Sequence, residues 1–265
     1  MTSSAWKAWR PGSAPALPGL APVVGHRGAA LHAPENTMVS IRKAHALGAR
    51  WVEIDVKLSR DGVPFLLHDE SLERTTSGSG PAAGKSWQEL AALDAGGWFG
   101  EAFRGEPLLS LEALAALLLE LGMAVNVEIK PCPGREEETA LVAGEMLARL
   151  WPKDGPVLLF SSFKRASLAA LQRSVPHFPR GLLVEALPED WAQAMQDLGC
   201  TTLHPSHRRL SPGELRLLKE QGVPVLLYTV NEAERARELL EAGADAVITD
   251  APERILPLVG AGARA

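Results

Sequence analysis

The sequence predicts a single (β/α)8 barrel of the TIM type, and three observations predict it. The chain has 265 residues, enough for one large α/β barrel. A helical pattern, a glycine and a short apolar run recur along it, at Gly48, Gly122, Gly199, Gly222 and Gly243. The apolar runs alternate with amphipathic segments, and parallel strands need such crossovers between them. Glycine just past a helix end takes the left-handed conformation at no steric cost, so each junction ends a helix and feeds a strand.

In chain order, residues 1–21 read as an irregular lead-in, because Pro11, Pro15 and Pro18 break any apolar segment. Residues 22–265 then supply eight strand-then-helix units. Strands are expected near Val23, Glu53, Val127, Leu159, Leu183, Leu203, Leu226 and Val247. Helices are expected over 36–47, 110–121, 135–150, 165–174, 190–198, 212–221, 232–242 and 252–259. Ser211-Pro212-Gly213-Glu214 carries a capping serine, a proline at the first helical position and a glutamate at the third; Asn231-Glu232-Ala233-Glu234 reads as a similar cap. An open doubly wound sheet is the competing architecture. Its phosphate-binding loop after strand one has a glycine spacing that Gly25-His26-Arg27-Gly28 lacks.

One strand-like run, Val63 to His68, lies outside this count. Only Ser59-Arg60-Asp61-Gly62 separates it from the Glu53 strand, too short for a crossover but suited to a hairpin. Pairing Leu58 with Val63 would set Glu53 opposite His68. Residues of about 69–109 then form a loop-rich insertion with Trp87, Trp98, Phe99 and Phe103, expected to be a lid or side wall over the barrel mouth.

Composition narrows the function class. Hydrophobic residues make up 46% and charged residues 22%, ordinary for a protein with a large core. A net charge of -5 and a pI near 5.8 offer no basic surface to nucleic acid. Cys132 and Cys200 lack metal-ligand spacing and make no disulfide framework, which suits a cytoplasmic protein. No apolar stretch reaches the roughly 18 residues of a membrane span. Trp6 and Trp9 either plug the N-terminal end of the barrel or stay disordered.

The candidate chemistry lies at strand ends. Glu53 and Asp55, two apart on a strand, point the same way, and Glu128 ends the next parallel strand with Lys130 on its face. Three converging carboxylates repel one another unless a cation sits among them, and an all-oxygen set suits Mg2+ or Ca2+ better than zinc. The competing reading is an internal salt-bridge network with Lys130 and Arg27. His26 closes the first strand and His68 the hairpin. Two histidines beside such a triad suit phosphodiester cleavage, one removing a proton from the nucleophile and one protonating the leaving alkoxide. His204, ahead of Pro205, is a further candidate for the mouth. His32, His45, His177 and His207 read as surface or loop residues.

His26-Arg27-Gly28, Pro34-Glu35-Asn36-Thr37, Glu53-Ile54-Asp55-Val56, Leu67-His68-Asp69 and Val127-Glu128-Ile129-Lys130, followed by Ser161-Ser162-Phe163, Tyr228-Thr229-Val230-Asn231 and Ile248-Thr249-Asp250, together resemble the glycerophosphodiester phosphodiesterase family, in its small cytosolic bacterial form. The match runs in order from about Pro22 to Pro257. The resemblance implies hydrolysis of small-molecule glycerophosphodiesters to sn-glycerol 3-phosphate and an alcohol, with one divalent cation, Mg2+ or Ca2+. It implies His26 and His68 as the catalytic pair, Glu53, Asp55 and Glu128 as metal ligands, and Arg27 and Lys130 as phosphate holders. Glu35 and Asn36 would order the site. Tyr228 departs from the tryptophan of many members, which bears on substrate preference. A phospholipase C or D acting on intact lipid, a non-catalytic glycerophosphodiester-binding barrel, and a metal-dependent lyase or aldolase are the alternatives. A glycerol 2-hydroxyl and a water are both open as nucleophile, and either histidine can serve as acid or as base.

Overall fold

Nine strands and nine α-helices follow one another in a computed structural model that describes Trp9 and residues 14–260. The first half of the chain holds β1 (Val23–His26), α1 (Met38–Ala46), β2 (Trp51–Leu58), β3 (Pro64–Leu66), α2 (Trp87–Ala91), α3 (Leu111–Leu121), β4 (Ala124–Ile129) and α4 (Glu136–Leu150). Then come β5 (Leu158–Ser162), α5 (Arg165–Ser174), β6 (Arg180–Val184), α6 (Trp191–Asp197), β7 (Thr202–Pro205), α7 (Pro212–Glu220), β8 (Leu226–Leu227), α8 (Ala233–Glu241), β9 (Ala246–Thr249) and α9 (Pro252–Gly260). Eight strands are parallel in the order β7-β6-β5-β4-β2-β1-β9-β8. The bridges Leu203↔Val225 and Ser206↔Tyr228 bring β7 to β8 and close the ring. It is a TIM-type (β/α)8 barrel.

Strand alternation sorts the side chains. Val52, Ile54 and Val56 of β2 face outward into a core shared with α1, α3, α4 and α5, and a second outer core is built under α6 to α9. Inside the barrel, Val24, Trp51, Ala124, Leu159, Leu226, Ala246 and Ile248 pack together. Trp51 pairs with Ala124, Glu53 with Asn126 and Asp55 with Glu128, so this apolar layer underlies two polar ones. Leu17, Leu20 and Ala21 pack against the apolar layer, and Trp51 Nε1 donates to the Gly19 carbonyl at 3.0 Å. The plug at the barrel's N-terminal end is therefore this segment, and Trp9 takes no part in it. Trp9 packs into the outer core instead, its N–H donating to Gln221 Oε1 at 3.0 Å. Trp6 lies outside the described residues.

The caps divide. Ser211 Oγ accepts from Glu214 N–H and Glu214 Oε2 accepts from Ser211 N–H, as expected for a capping box. Asn231 makes no cap. Glu232 takes that position on α8 without a side-chain bond, because the Asn231 amide is used elsewhere.

The hairpin register differs from expectation by one residue. Leu58 pairs with Pro64, not Val63, and Val56 pairs with Leu66. Ser59 Oγ accepts from Val63 N–H at 2.9 Å, holding Val63 in the turn. Pro64 has no N–H to donate and takes the first ladder position. Pairing does not set Glu53 opposite His68: the ladder stops at Leu66, and the chain turns afterwards. The insertion has its own small core, in which Phe65, Leu67, Leu72, Ala82, Leu90, Ala95 and Leu108 bury one another with Trp87 against them. Trp98, Phe99 and Phe103 stack edge to face, with Trp98 exposed.

Candidate active site

Parallel register assembles the site before any loop contributes. His26 of β1 lies beside Glu53 of β2, and Asp55 lies beside Glu128 of β4. After β1 the chain turns sharply, with Arg27 at φ 51° and Gly28 at φ 91°. A Cβ on Gly25 would lie 2.3 Å from the Gly28 carbonyl oxygen, and one on Gly28 would lie 2.4 Å from Ser40 Oγ. Both glycines are thus required by close approach, and Gly28 by its backbone angle as well. The turn presents Arg27 N–H to Glu53 Oε2 at 3.2 Å, and its guanidinium to Glu35 at 2.7 Å and Asp55 at 3.2 Å.

Glu53, Asp55 and Glu128 are all buried, and one oxygen from each lies within 4.8 Å of the other two. Glu53 Oε1 and Asp55 Oδ1 have no hydrogen-bond partner among the described residues. Lys130 Nζ donates to Glu128 Oε1 at 2.9 Å and stands 3.5 Å from Asp55 Oδ1. Burial, with the neighbouring Asp55 and Glu128 charges, pushes Glu53 well above the usual carboxylate range. Burial and then Asp55 raise Glu128 to about 7. At Asp55 burial acts upward too, but Arg27 and Lys130 outweigh it and hold that carboxyl well below its ordinary value. Three buried carboxylates, two of them with an orphaned oxygen, fit a hard divalent cation such as Mg2+ or Ca2+.

Each histidine leans on its own aspartate. His26 Nδ1 is 2.6 Å from Asp250 Oδ1, and its Nε2 is 3.8 Å from Glu53 Oε2. His68 Nδ1 is 2.6 Å from Asp69 Oδ1. Burial opposes ionisation of Asp250, but hydrogen bonds from His26 and Asn231 hold its carboxyl low, and it accepts. The Nδ1 proton therefore sits on His26, leaving Nε2 as the nitrogen that faces Glu53. Arg74, and then His68, hold Asp69 low in the same way. Burial lowers His68, with the Arg27 and Lys130 charges adding to it against Asp55.

The mouth is a cavity of about 200 Å³ lined by His26, Arg27, Glu53, His68, Glu128, Lys130 and Tyr228 among others. Asp55 lies just beneath it. Asn36, at φ 58°, donates to Asp55 Oδ2 at 2.8 Å and accepts from Asp55 N–H at 3.1 Å. Glu35 joins Arg27 to Arg74. Tyr228 donates its hydroxyl to the Val184 carbonyl at 3.0 Å and meets Phe163 edge to face. His204 does not line the mouth. It is fully buried, with Nε2 2.8 Å from Thr202 Oγ1, in the space that a side chain on Gly181 would fill.

Residues 26–254 match the family model described as the glycerophosphoryl diester phosphodiesterase family. The chain belongs to that family. It is 34% identical to a glycerophosphodiester phosphodiesterase of Caldanaerobacter subterraneus subsp. tengcongensis, over 91% of this chain and 98% of the relative. An Oleispira antarctica phosphodiesterase, solved in complex with the product sn-glycerol-3-phosphate, superposes with a TM-score of 0.88 at 38% identity, over 91% of this chain and 97% of that one. The glycerophosphodiester phosphodiesterase of Agrobacterium tumefaciens gives 0.75 at 28% identity, over 90% and 100%. As a glycerophosphodiester phosphodiesterase the chain is a phosphoric diester hydrolase.

Four residues of this phosphodiesterase site escape a reading of the sequence by residue type alone. Asp250 and Asn231 form a relay behind His26: Asn231 Nδ2 donates to Asp250 Oδ2 at 2.6 Å, while its Oδ1 accepts from Asp250 N–H. Asp69 and Arg74 stand behind His68. The family motifs Tyr228-Thr229-Val230-Asn231 and Ile248-Thr249-Asp250 contain two of them, and Asp69 follows His68 directly.

Proposed function

We propose that this phosphodiesterase hydrolyses glycerophosphodiesters such as glycerophosphocholine and glycerophosphoethanolamine to sn-glycerol 3-phosphate and an alcohol, using one divalent cation, Mg2+ or Ca2+. The observation that carries the reading is the flanking of a buried carboxylate triad by two histidines, each with Nδ1 on its own aspartate. Glu53, Asp55 and Glu128 hold the cation, which when bound supplies positive charge to the phosphoryl oxygens. Arg27 and Lys130 hold the remaining oxygens of the phosphate. His26 and His68 exchange protons through Nε2, one accepting from the nucleophile and the other donating to the departing alkoxide. The nucleophile is the glycerol 2-hydroxyl or a water; the former passes through a cyclic phosphodiester that chromatography would detect. Asp250 and Asp69 fix the tautomers.

The small mouth favours deacylated substrate over intact phospholipid. Among the described residues no helix is long and apolar enough to cross a membrane. A cytoplasmic setting is supported by Cys132 and Cys200, both free and buried. His26→Ala and His68→Ala test the assignment: each should keep the native circular-dichroism spectrum and lose about 10²–10⁴ in kcat. Wild-type turnover in either variant refutes it. Equal hydrolysis of phosphatidylcholine would favour the phospholipase reading instead.

A further inference from the structure

A second cavity, of about 190 Å³, shares a wall with the mouth. His68, Glu128, Lys130 and Phe163 line both, whereas Lys57, Glu70 and Lys164 line only the second. A diester phosphate held at Lys130 must send its two arms apart, and the shared wall gives each arm its own cavity. We propose that the second cavity is the leaving-group subsite and selects a head group bearing a carboxylate, as in glycerophosphoserine; this rests on the hydrolysis proposed above.

Lys57 carries the argument. It is 1% exposed, and its ammonium donates to the Lys130 carbonyl at 2.9 Å. No carboxylate lies within ion-pair distance of it among the described residues, and Asp55 and Glu70 act on it only from farther away, so a buried cation with two further N–H donors lines the cavity without a direct carboxylate contact. Burying an ammonium in that state is costly, and an anion entering the cavity would relieve it. Lys130 is already engaged by Glu128 and Asp55. Lys164, exposed at the same cavity, has no ion-pair partner among the described residues. Outside the triad, the one carboxylate lining this cavity is that of Glu70, also exposed. Lys57 and Lys164 with Glu70 complement the carboxylate and ammonium of a serine head group. Choline brings an ammonium for Glu70 but no carboxylate for Lys57 and Lys164.

Glycerophosphoserine and glycerophosphoethanolamine differ only by that carboxylate, so their kcat/KM ratio isolates it. With release of sn-glycerol 3-phosphate as the readout, wild type should favour glycerophosphoserine by about tenfold, the size of one charge-assisted contact. Lys164→Glu, at an exposed position that folding tolerates, should bring the ratio to one or below, and Lys57→Met should also reduce it. A wild-type ratio of one or less, or a ratio unmoved by Lys164→Glu, overturns the subsite while leaving glycerophosphodiester hydrolysis intact. Release from neither substrate overturns the hydrolysis reading itself.

Discussion

Asp250 stands 224 residues from His26 in the chain and 2.6 Å from it in space. An ionised carboxylate there sets the imidazole tautomer, on which the proposed proton transfer through Nε2 depends. Asp250→Asn can present an N–H to Nδ1 and so reverse the tautomer. The expected outcome is a fall in kcat of about a hundredfold or more, with cation affinity by titration calorimetry unchanged; an unaltered kcat refutes the positioning role. His204 makes a different residue-scale prediction, about stability. Burial pushes it to about 3 from an ordinary 6.5, so it stays neutral in the folded protein. Between those values the unfolded chain binds a proton that the folded chain does not, and stability is lost as pH falls through that window. The slope is about 1.4 kcal/mol per pH unit where the difference is complete. His204→Gln should flatten the decline in urea midpoint between pH 6.5 and 4.5 relative to wild type; parallel declines contradict the assignment.

Elements show how much could be read without coordinates. All eight barrel strands and their helices fall where the glycine junctions and apolar runs place them, because those signals are local: Gly122, at φ 63°, ends α3 for reasons contained in its own backbone. Glu53, Asp55 and Glu128 were legible for the same reason, since strand periodicity alone aims them together. What escaped depended on distant partners. Asn231 has the residue type of a cap, but the Thr249–Asp250 segment offers its amide three hydrogen bonds, and α8 begins without it. The hairpin slipped by one residue because Ser59 binds Val63 through its hydroxyl, a side-chain contact that apolar alternation does not encode. His204 looked like a mouth residue from its position before Pro205; Gly181 on the adjacent strand, lacking a side chain, leaves it room inside the barrel. The β1–α1 turn gives the element-scale prediction. Gly28→Ala places a methyl 2.4 Å from Ser40 Oγ at a left-handed φ of 91°, and should destabilise by about 2 kcal/mol or more in urea unfolding. A variant of native stability would mean that the turn relaxes freely.

At the scale of the whole molecule, barrel closure brings β1, β2, β4 and β9 to one rim, so that groups scattered from His26 to Asp250 converge on one buried carboxylate triad, the proposed cation site. The fold stabilises this arrangement through the apolar layers beneath and around it, while the triad itself opposes folding until its charge is neutralised. Glu128 at about 7, with Glu53 raised as well, means that a cation must displace protons. Cation affinity should therefore weaken as pH falls below about 7 and strengthen above it, with proton release visible when calorimetry is repeated in buffers of different ionisation enthalpy. An affinity flat from pH 6 to 8 would place the cation elsewhere. The most direct test of the central claim is the initial rate of sn-glycerol 3-phosphate release from glycerophosphoethanolamine after chelation and dialysis, then with Mg2+ or Ca2+ returned. The account predicts loss of the rate and recovery with the cation in wild type, and no recovery in Glu53→Gln. A full rate in the chelated protein would contradict it.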